Sequence, residues 1–265
     1  MKEQDKKAEV VAGHEVPKDA WLENPLVYKV KRAHLELLHL IPSNNAFILD
    51  GGCGPGTYGI ILAQEGARVI GVDISPEAIK VAKERANRKG VNFTPLVGDL
   101  ENLTFEDGYF DICFCGWALH HFPDINKTVS SLKRVLKPGG KIALVEPNES
   151  NLLMRLSRFI EDLPLIQKWV LKAGWDTPNR TVHRHNYYIE ALKRQGFTDI
   201  KLSSCYPGGL PPIPIASEQT GLRVLPRRLM RSLFHLRVFL FSVAVLILPR
   251  PLNGADLLIT AVKKD

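Results

Sequence analysis

No stretch of this chain stays apolar for the roughly 20 residues that a bilayer-spanning helix needs, so no membrane span is expected. The opening residues, Met1-Lys2-Glu3-Gln4-Asp5-Lys6-Lys7, have no apolar core, and a signal peptide is not expected there. Cysteine is scarce: Cys53, Cys113, Cys115 and Cys205 are the four in the chain. Cys113 and Cys115 stand two apart on an apolar run, which is not the spacing of a zinc knuckle, so buried thiols in a reducing cytosol are expected and no metal site. Internal repeats and low-complexity tracts are absent as well, which excludes solenoid and fibrous architectures.

What remains is material for one substantial core. The 265 residues are 45% hydrophobic and carry a formal net charge of +7 with a pI near 9.2. Such a chain forms one large domain, or one domain with elaborations. The positive balance favours anionic partners: nucleic acid, acidic lipid surfaces or acidic small molecules.

The organising stretch is Ile48-Leu49-Asp50-Gly51-Gly52-Cys53-Gly54-Pro55-Gly56-Thr57. An apolar run from Ala46 to Leu49 predicts a buried strand, and Ile60-Ile61-Leu62-Ala63 predicts a helix packed on a sheet. Strand, glycine turn and helix together form a nucleotide-binding arrangement, because glycine lets the backbone turn tightly and approach a ligand closely. Many strand-to-helix turns need glycine for structure alone, but a second strand, Arg68-Val69-Ile70-Gly71-Val72-Asp73, sharpens the reading. Its terminal acid lies 21 residues beyond Gly52, a spacing at which a strand-end carboxylate meets a ribose diol. The plainer role for Asp73, a helix cap, is already filled by Ser75, with Pro76 at the first helical position. A dinucleotide fingerprint counted from Gly52 would require a third glycine at position 57, where Thr57 stands.

The pattern Asp50-x-Gly52-x-Gly54-x-Gly56 resembles the first motif of the class I S-adenosylmethionine-dependent methyltransferases. Further motifs of that family follow in order. Gly98-Asp99-Leu100 comes after a third strand, Val91 to Val97. Phe110-Asp111-Ile112-Cys113-Phe114-Cys115-Gly116 reads as a fourth strand followed by Leu119-His120-His121, and Leu136-Lys137-Pro138-Gly139-Gly140 precedes a fifth strand, Lys141 to Val145. The likeness covers about residues 46 to 148. Tyr188 to Phe197 then resembles the family's late helix, and 200–203 and 256–262 its last two strands.

The resemblance implies an α/β fold: a doubly wound, mostly parallel seven-stranded sheet. It implies S-adenosylmethionine as methyl donor, held by Asp50, Gly52, Gly54, Gly56, Asp73, Ile74, Asp99, Leu100 and Cys115. The glycine loop would wrap the methionyl part, Asp73 would hold the ribose and Asp99 the adenine amino group. Residues 1–20 are expected to be a mobile lead and 21–265 the methyltransferase domain, with cap insertions at about 149–185 and 204–255. A leading helix over Asn24 to Leu40 is predicted, with Val27, Val30, His34, Leu37 and Leu38 on one face.

A sulfonium methyl is already activated, so such an enzyme mainly aligns the acceptor and excludes water. An oxygen or carbon acceptor also needs a base, and His121, then His120, stand at the strand end where ligands bind. Leu-His-His can equally shape the pocket floor, with one of two adjacent rings pointing away. His183 and His185 are further candidates. Three other classes stay open: an RNA methyltransferase, prompted by the positive charge; a nicotinamide oxidoreductase; and a non-catalytic relative that only binds. Nucleic acid is not the expected partner, since neither an RNA-binding module nor an Asn-Pro-Pro-Tyr or paired-cysteine signature is present.

The segment 221–251 holds Arg223, Arg227, Arg228, Arg231, Arg237 and Arg250 and no acid, and its second part, Val238 to Leu248, is apolar on all sides. The run is too short to span a bilayer. It is expected either to pack internally or to lie on an anionic membrane surface as a wall of the acceptor pocket. The expected enzyme is therefore cytoplasmic or peripheral at the membrane, acting on a small, lipophilic acceptor.

Overall fold

The computed structural model describes residues 25–43, 45–149, 151, 155, 183–205 and 256–264. Seven strands form one sheet: β1 (Phe47–Gly51), β2 (Arg68–Asp73), β3 (Phe93–Val97), β4 (Phe110–Gly116), β5 (Leu136–Pro147), β6 (Phe197–Cys205) and β7 (Asp256–Lys263). Their order across the sheet is β3-β2-β1-β4-β5-β7-β6. The strands from β3 to β5 run parallel, and β7 is inserted antiparallel to both neighbours. This is the doubly wound, mostly parallel sheet the motifs imply. Among the described residues, no helix is long and apolar enough to cross a membrane.

The central strands are apolar on both faces because helices cover both. Alternation along them divides the core. Ile48 and Phe114 face one layer, with Tyr58 and Ile61 of α2 (Thr57–Gln64), Ile79 of α3 (Pro76–Lys89) and Leu35 of α1 (Pro25–Leu37). Leu49, Cys113 and Cys115 face the other, with Val129 and Leu132 of α4 (Ile125–Val135) and Tyr188 and Leu192 of α5 (His185–Arg194). All four cysteines are free and buried, as expected.

Local chemistry sets the element ends. Ser75 caps α3, its Oγ accepting from the Ala78 amide at 3.2 Å, with Pro76 behind it. Gly90, at φ 61°, closes the helix in the left-handed conformation. Asp111 joins three elements: its carboxylate accepts from the Phe47 amide at 2.8 Å and from Lys137 Nζ at 2.6 Å.

Two expectations need correction. The Lys137-Pro138-Gly139-Gly140 turn does not precede β5 but interrupts it. Leu136 already pairs with Phe110, and pairing resumes at Ile112 with Lys141, because Leu136 is drawn into the core while the four turn residues loop out of register. The leading helix ends at Leu37, which is 54% exposed rather than on the inward face, while Leu38 beyond it is buried. The leading segment 1–20 and most of both insertions, including all of 221–251, lie outside the described residues.

Candidate functional site

The C-terminal ends of β1, β2 and β4 bring most of the singled-out residues together, at the sheet edge where open α/β folds bind ligands. The turn after β1 is fastened from several sides. The amides of Gly52 and Cys53 donate to the Val72 carbonyl at 2.8 and 3.2 Å, and the Gly56 amide donates to Cys53 at 3.0 Å. Gly54 N–H donates to Asp73 Oδ2 at 2.8 Å. Buried Arg85, reaching from α3, donates to the Pro55 carbonyl at 2.5 Å and to Thr57 Oγ1 at 3.1 Å.

This wiring bears on which nucleotide the loop suits. The amides of Gly52, Cys53, Gly54 and Gly56 are all spent on carbonyls and a carboxylate inside the protein. A pyrophosphate cradle needs such amides directed outward, and here a carboxylate already occupies one of them. The loop therefore suits a ligand part that is not a phosphate, which weighs against a nicotinamide dinucleotide.

The three glycines differ in purpose. A Cβ at Gly52 would come within 2.5 Å of Ala118 Cβ, and one at Gly56 within 2.5 Å of Phe93. Those positions are glycine because neighbouring side chains leave no room. At Gly54, whose φ is 51°, a Cβ would meet nothing within 4 Å. Gly54 is thus the point where the turn opens onto space that a ligand can fill.

Asp73 is half-buried at the end of β2, and its second oxygen, Oδ1, accepts from the Ser75 amide at 2.9 Å. Each carboxylate oxygen thus receives one backbone amide and keeps lone-pair capacity for another donor, as a ribose diol requires. Ile74 beside it is half-buried. Asp99 caps the short turn Leu100–Asn102, accepting from the Glu101 amide at 2.9 Å and from Asn102 Nδ2 at 3.0 Å. The side chains of Leu100 and Cys115 lie beneath the turn: a Cβ at Gly51 would meet Cys115 Sγ at 3.0 Å and Leu100 at 3.1 Å. They support the loop from below.

Asp50 is buried at the centre of this group, and its Oδ2 has no hydrogen-bond partner. Burial raises its pKa to about 7 against the pull of Lys31. Lys31, half-buried on α1, is itself depressed to about 8 by burial and sits 3.9 Å above the Tyr58 ring. A buried carboxylate oxygen with unused acceptor capacity suits a ligand ammonium, which the methionyl part of S-adenosylmethionine carries. The unpartnered oxygen, the open space over Gly54 and the half-open Asp73 together fit that cofactor.

The histidines form a second group, past the end of β4. His120 is buried, and its Nδ1 lies 2.8 Å from Glu146 Oε2, at the end of β5. Glu146 is fully buried and also accepts from the amides of Ala118, Leu119 and His120 at 3.2, 2.8 and 3.3 Å. Burial raises its pKa to about 8 in spite of these donors. His121 is half-buried, and its ring centroid is 4.0 Å from that of His120, so neither ring points away from the other. His183 stacks on Tyr187 at 3.6 Å and lies 6.2 Å from Tyr188, whose hydroxyl reaches Glu146 at 3.5 Å. Burial lowers the His183 pKa below its ordinary value. Glu146, Lys31 and Arg85 are not among the residues that the sequence motifs single out. A glutamate ending an otherwise apolar buried strand was the one available signal.

Known proteins resemble this chain in sequence and in fold. A family model described as a methyltransferase domain matches residues 49–144. The demethylmenaquinone methyltransferase of Symbiobacterium thermophilum is 32% identical over 185 residues, covering 64% of this chain and 70% of that protein. The ubiquinone biosynthesis O-methyltransferase of Coxiella burnetii is 40% identical over 95 residues, covering 36% of this chain and 41% of that protein. The chain spans only 33% to 41% of the length of several curated relatives that it matches. Among solved structures, phosphoethanolamine N-methyltransferase 2 of Haemonchus contortus, in complex with S-adenosyl-L-methionine, superposes with a TM-score of 0.62 at 19% identity, covering all of this chain and 60% of that one.

Proposed function

The chain belongs to the class I S-adenosylmethionine-dependent methyltransferases, and from that premise we propose that it methylates a small, lipophilic acceptor of the quinone or lipid kind. The observation that carries the cofactor reading is the turn after β1. Its amides are spent internally, while Gly54 faces open space and Asp73 keeps acceptor capacity. When bound, S-adenosylmethionine supplies a methyl group on an electrophilic sulfonium. Asp73 would hold the ribose, Asp99 the adenine amino group, and Asp50 the methionyl ammonium. Ile74 would flank the adenine, and Leu100 and Cys115 would support the cofactor loop from beneath.

The chain's further task is to place the acceptor in line with that methyl group and to take a proton where the attacking atom carries one. His121, the more open of the two rings, is our candidate base. His120, fixed by Glu146, positions it through ring contact. The His121 imidazole would take the acceptor's proton as the acceptor receives the methyl group that S-adenosylmethionine would supply, the sulfur leaving as a neutral thioether.

The lipophilic acceptor rests on two supports. The named relatives act in menaquinone and ubiquinone methylation, and residues 221–251 combine six arginines, an apolar run and no acid. Each arginine near an anionic surface contributes about 1 kcal/mol. Co-sedimentation with anionic liposomes, fading with salt and with Arg227, Arg228 and Arg231 changed to Glu, is the expected behaviour. A protein that stays in the supernatant at low salt returns that segment to internal structure.

The deciding experiment is transfer of labelled methyl from S-adenosylmethionine into fractionated cell extract. Label in the organic-soluble fraction is expected. Label in RNA or in polar metabolites overturns the lipophilic acceptor, and calorimetry showing no affinity for S-adenosylhomocysteine overturns the cofactor.

A further inference from the structure

A second cluster of chemistry-bearing groups lies on the α1 side of the sheet, and the methyl-transfer reading does not use it. His34 sits on α1, Cys205 ends β6, and Asp256 opens β7. Cys205 and Asp256 are cross-strand partners, and α1 carries His34 to them. One nitrogen, one sulfur and one oxygen from these side chains all lie within 4.8 Å of one another. The residues are 2%, 8% and 0% exposed.

The hydrogen bonding is incomplete in an informative way. His34 Nδ1 is engaged with the Tyr58 hydroxyl at 2.8 Å, which fixes the ring with Nε2 toward the other two residues. Nε2 comes to 3.2 Å from Asp256 Oδ2, yet no hydrogen bond joins them. Neither carboxylate oxygen of Asp256 accepts a hydrogen bond. Unpaired buried polar atoms of this kind cost about 1–3 kcal/mol apiece, and a converging set of them suits a cation better than a proton.

We propose that His34, Cys205 and Asp256 bind a divalent cation of the zinc class, clasping helix α1 to the adjoining ends of β6 and β7. The donors decide the class. Imidazole nitrogen with thiolate sulfur selects zinc and its neighbours over magnesium or calcium, which take oxygen. Ligands at about 2.0–2.3 Å around a tetrahedral ion stand about 3.3–3.8 Å apart, so this set closes on an ion with small side-chain shifts. The second oxygen of Asp256, or a water, completes four-coordination. Tyr58 plays the part that outer hydrogen-bond partners of metal-bound histidines play, holding the ring in place.

Binding breaks the Cys205 S–H bond, sends its proton to solvent and forms a sulfur–metal bond, with no change of oxidation state. Because binding releases the thiol proton, affinity should climb with pH. The competing arrangement is plain: Lys31, whose charge also acts on Asp256, offsets the carboxylate without any metal.

The test uses the full chain, stripped with chelator and titrated with Co2+ as a spectroscopic surrogate. A thiolate-to-cobalt charge-transfer band in the near ultraviolet and intense visible bands of tetrahedral cobalt are expected, both bleached by Zn2+. Cys205→Ser should abolish the charge-transfer band, and Cys113→Ala should leave it. Asp256→Asn should keep the band but weaken cobalt affinity about tenfold or more. Far-UV circular dichroism checks the fold of each variant, and His34→Ala, which keeps the thiolate but alters the visible bands, serves if Cys205→Ser does not fold. No charge-transfer band in the unaltered protein, or an equal band in Cys205→Ser, overturns the site. None of these readouts depends on methyl transfer.

Discussion

The carboxylate of Asp73 and the backbone amide of Gly54 are joined by a 2.8 Å hydrogen bond, so the acid after β2 is tied directly to the turn after β1. One side chain therefore shapes the loop and offers itself to the ligand. Asp73→Ala should weaken S-adenosylhomocysteine binding by roughly 1–3 kcal/mol, the cost of a lost charged hydrogen bond. Titration calorimetry measures this directly, and unchanged affinity removes Asp73 from the site.

Gly54 and Gly56 should respond in opposite ways. Gly54→Val places atoms where nothing lies within 4 Å, so the protein should fold, at some cost from the φ of 51°, and lose cofactor binding. Gly56→Ala drives a methyl group to 2.5 Å from Phe93, and overpacking of this sort costs roughly 1–3 kcal/mol of stability. Denaturant unfolding paired with calorimetry separates the two effects. A Gly54→Val protein that binds normally contradicts the loop assignment.

If His121 takes the acceptor's proton, His121→Ala should lower turnover by about 10²-fold or more and leave cofactor affinity nearly unchanged. Glu146→Gln should act through His120, shifting the pH profile of turnover while substrate affinity holds. Near-full turnover in His121→Ala would return that ring to packing.

Stability should fall as pH rises toward 8. Asp50 and Glu146 are raised by burial from ordinary values of 3.8 and 4.5 to about 7 and about 8. A carboxyl group whose folded pKa lies above its unfolded one stabilises most below the unfolded value and loses that contribution as pH climbs through the folded one. Lys31, depressed from 10.5 to about 8, acts oppositely and only above that point, so a stability minimum near pH 8 is expected. Thermal unfolding across the range checks the curve, and Glu146→Gln should flatten its acid limb.

The features legible in the sequence were those whose chemistry is local. Ser75, Pro76 and Gly90 mark both ends of α3 because capping is decided within a turn. The glycine turn and Asp73 were legible because their spacing follows from one βαβ unit. Glu146, Lys31 and Arg85 were not, since each gains its role from partners far away in the sequence: Glu146 from the Leu119 amide, Arg85 from Pro55, and Lys31 from Asp50 and Tyr58. The start of β5 was misplaced because Leu136 answers to Phe110 across the sheet and not to the proline and glycines that follow it.

The pairing of Cys205 with Asp256 also bears on how this protein can change over evolutionary time. Residues 206–255 depart from one strand and rejoin the neighbouring one at positions already facing each other. Their length is therefore nearly free of the sheet, because closing a longer excursion between fixed ends costs only slightly more entropy. The excursion can be shortened or extended while the paired strand ends stay in place, and if it walls the acceptor pocket, as proposed, acceptor preference can diversify without disturbing the sheet.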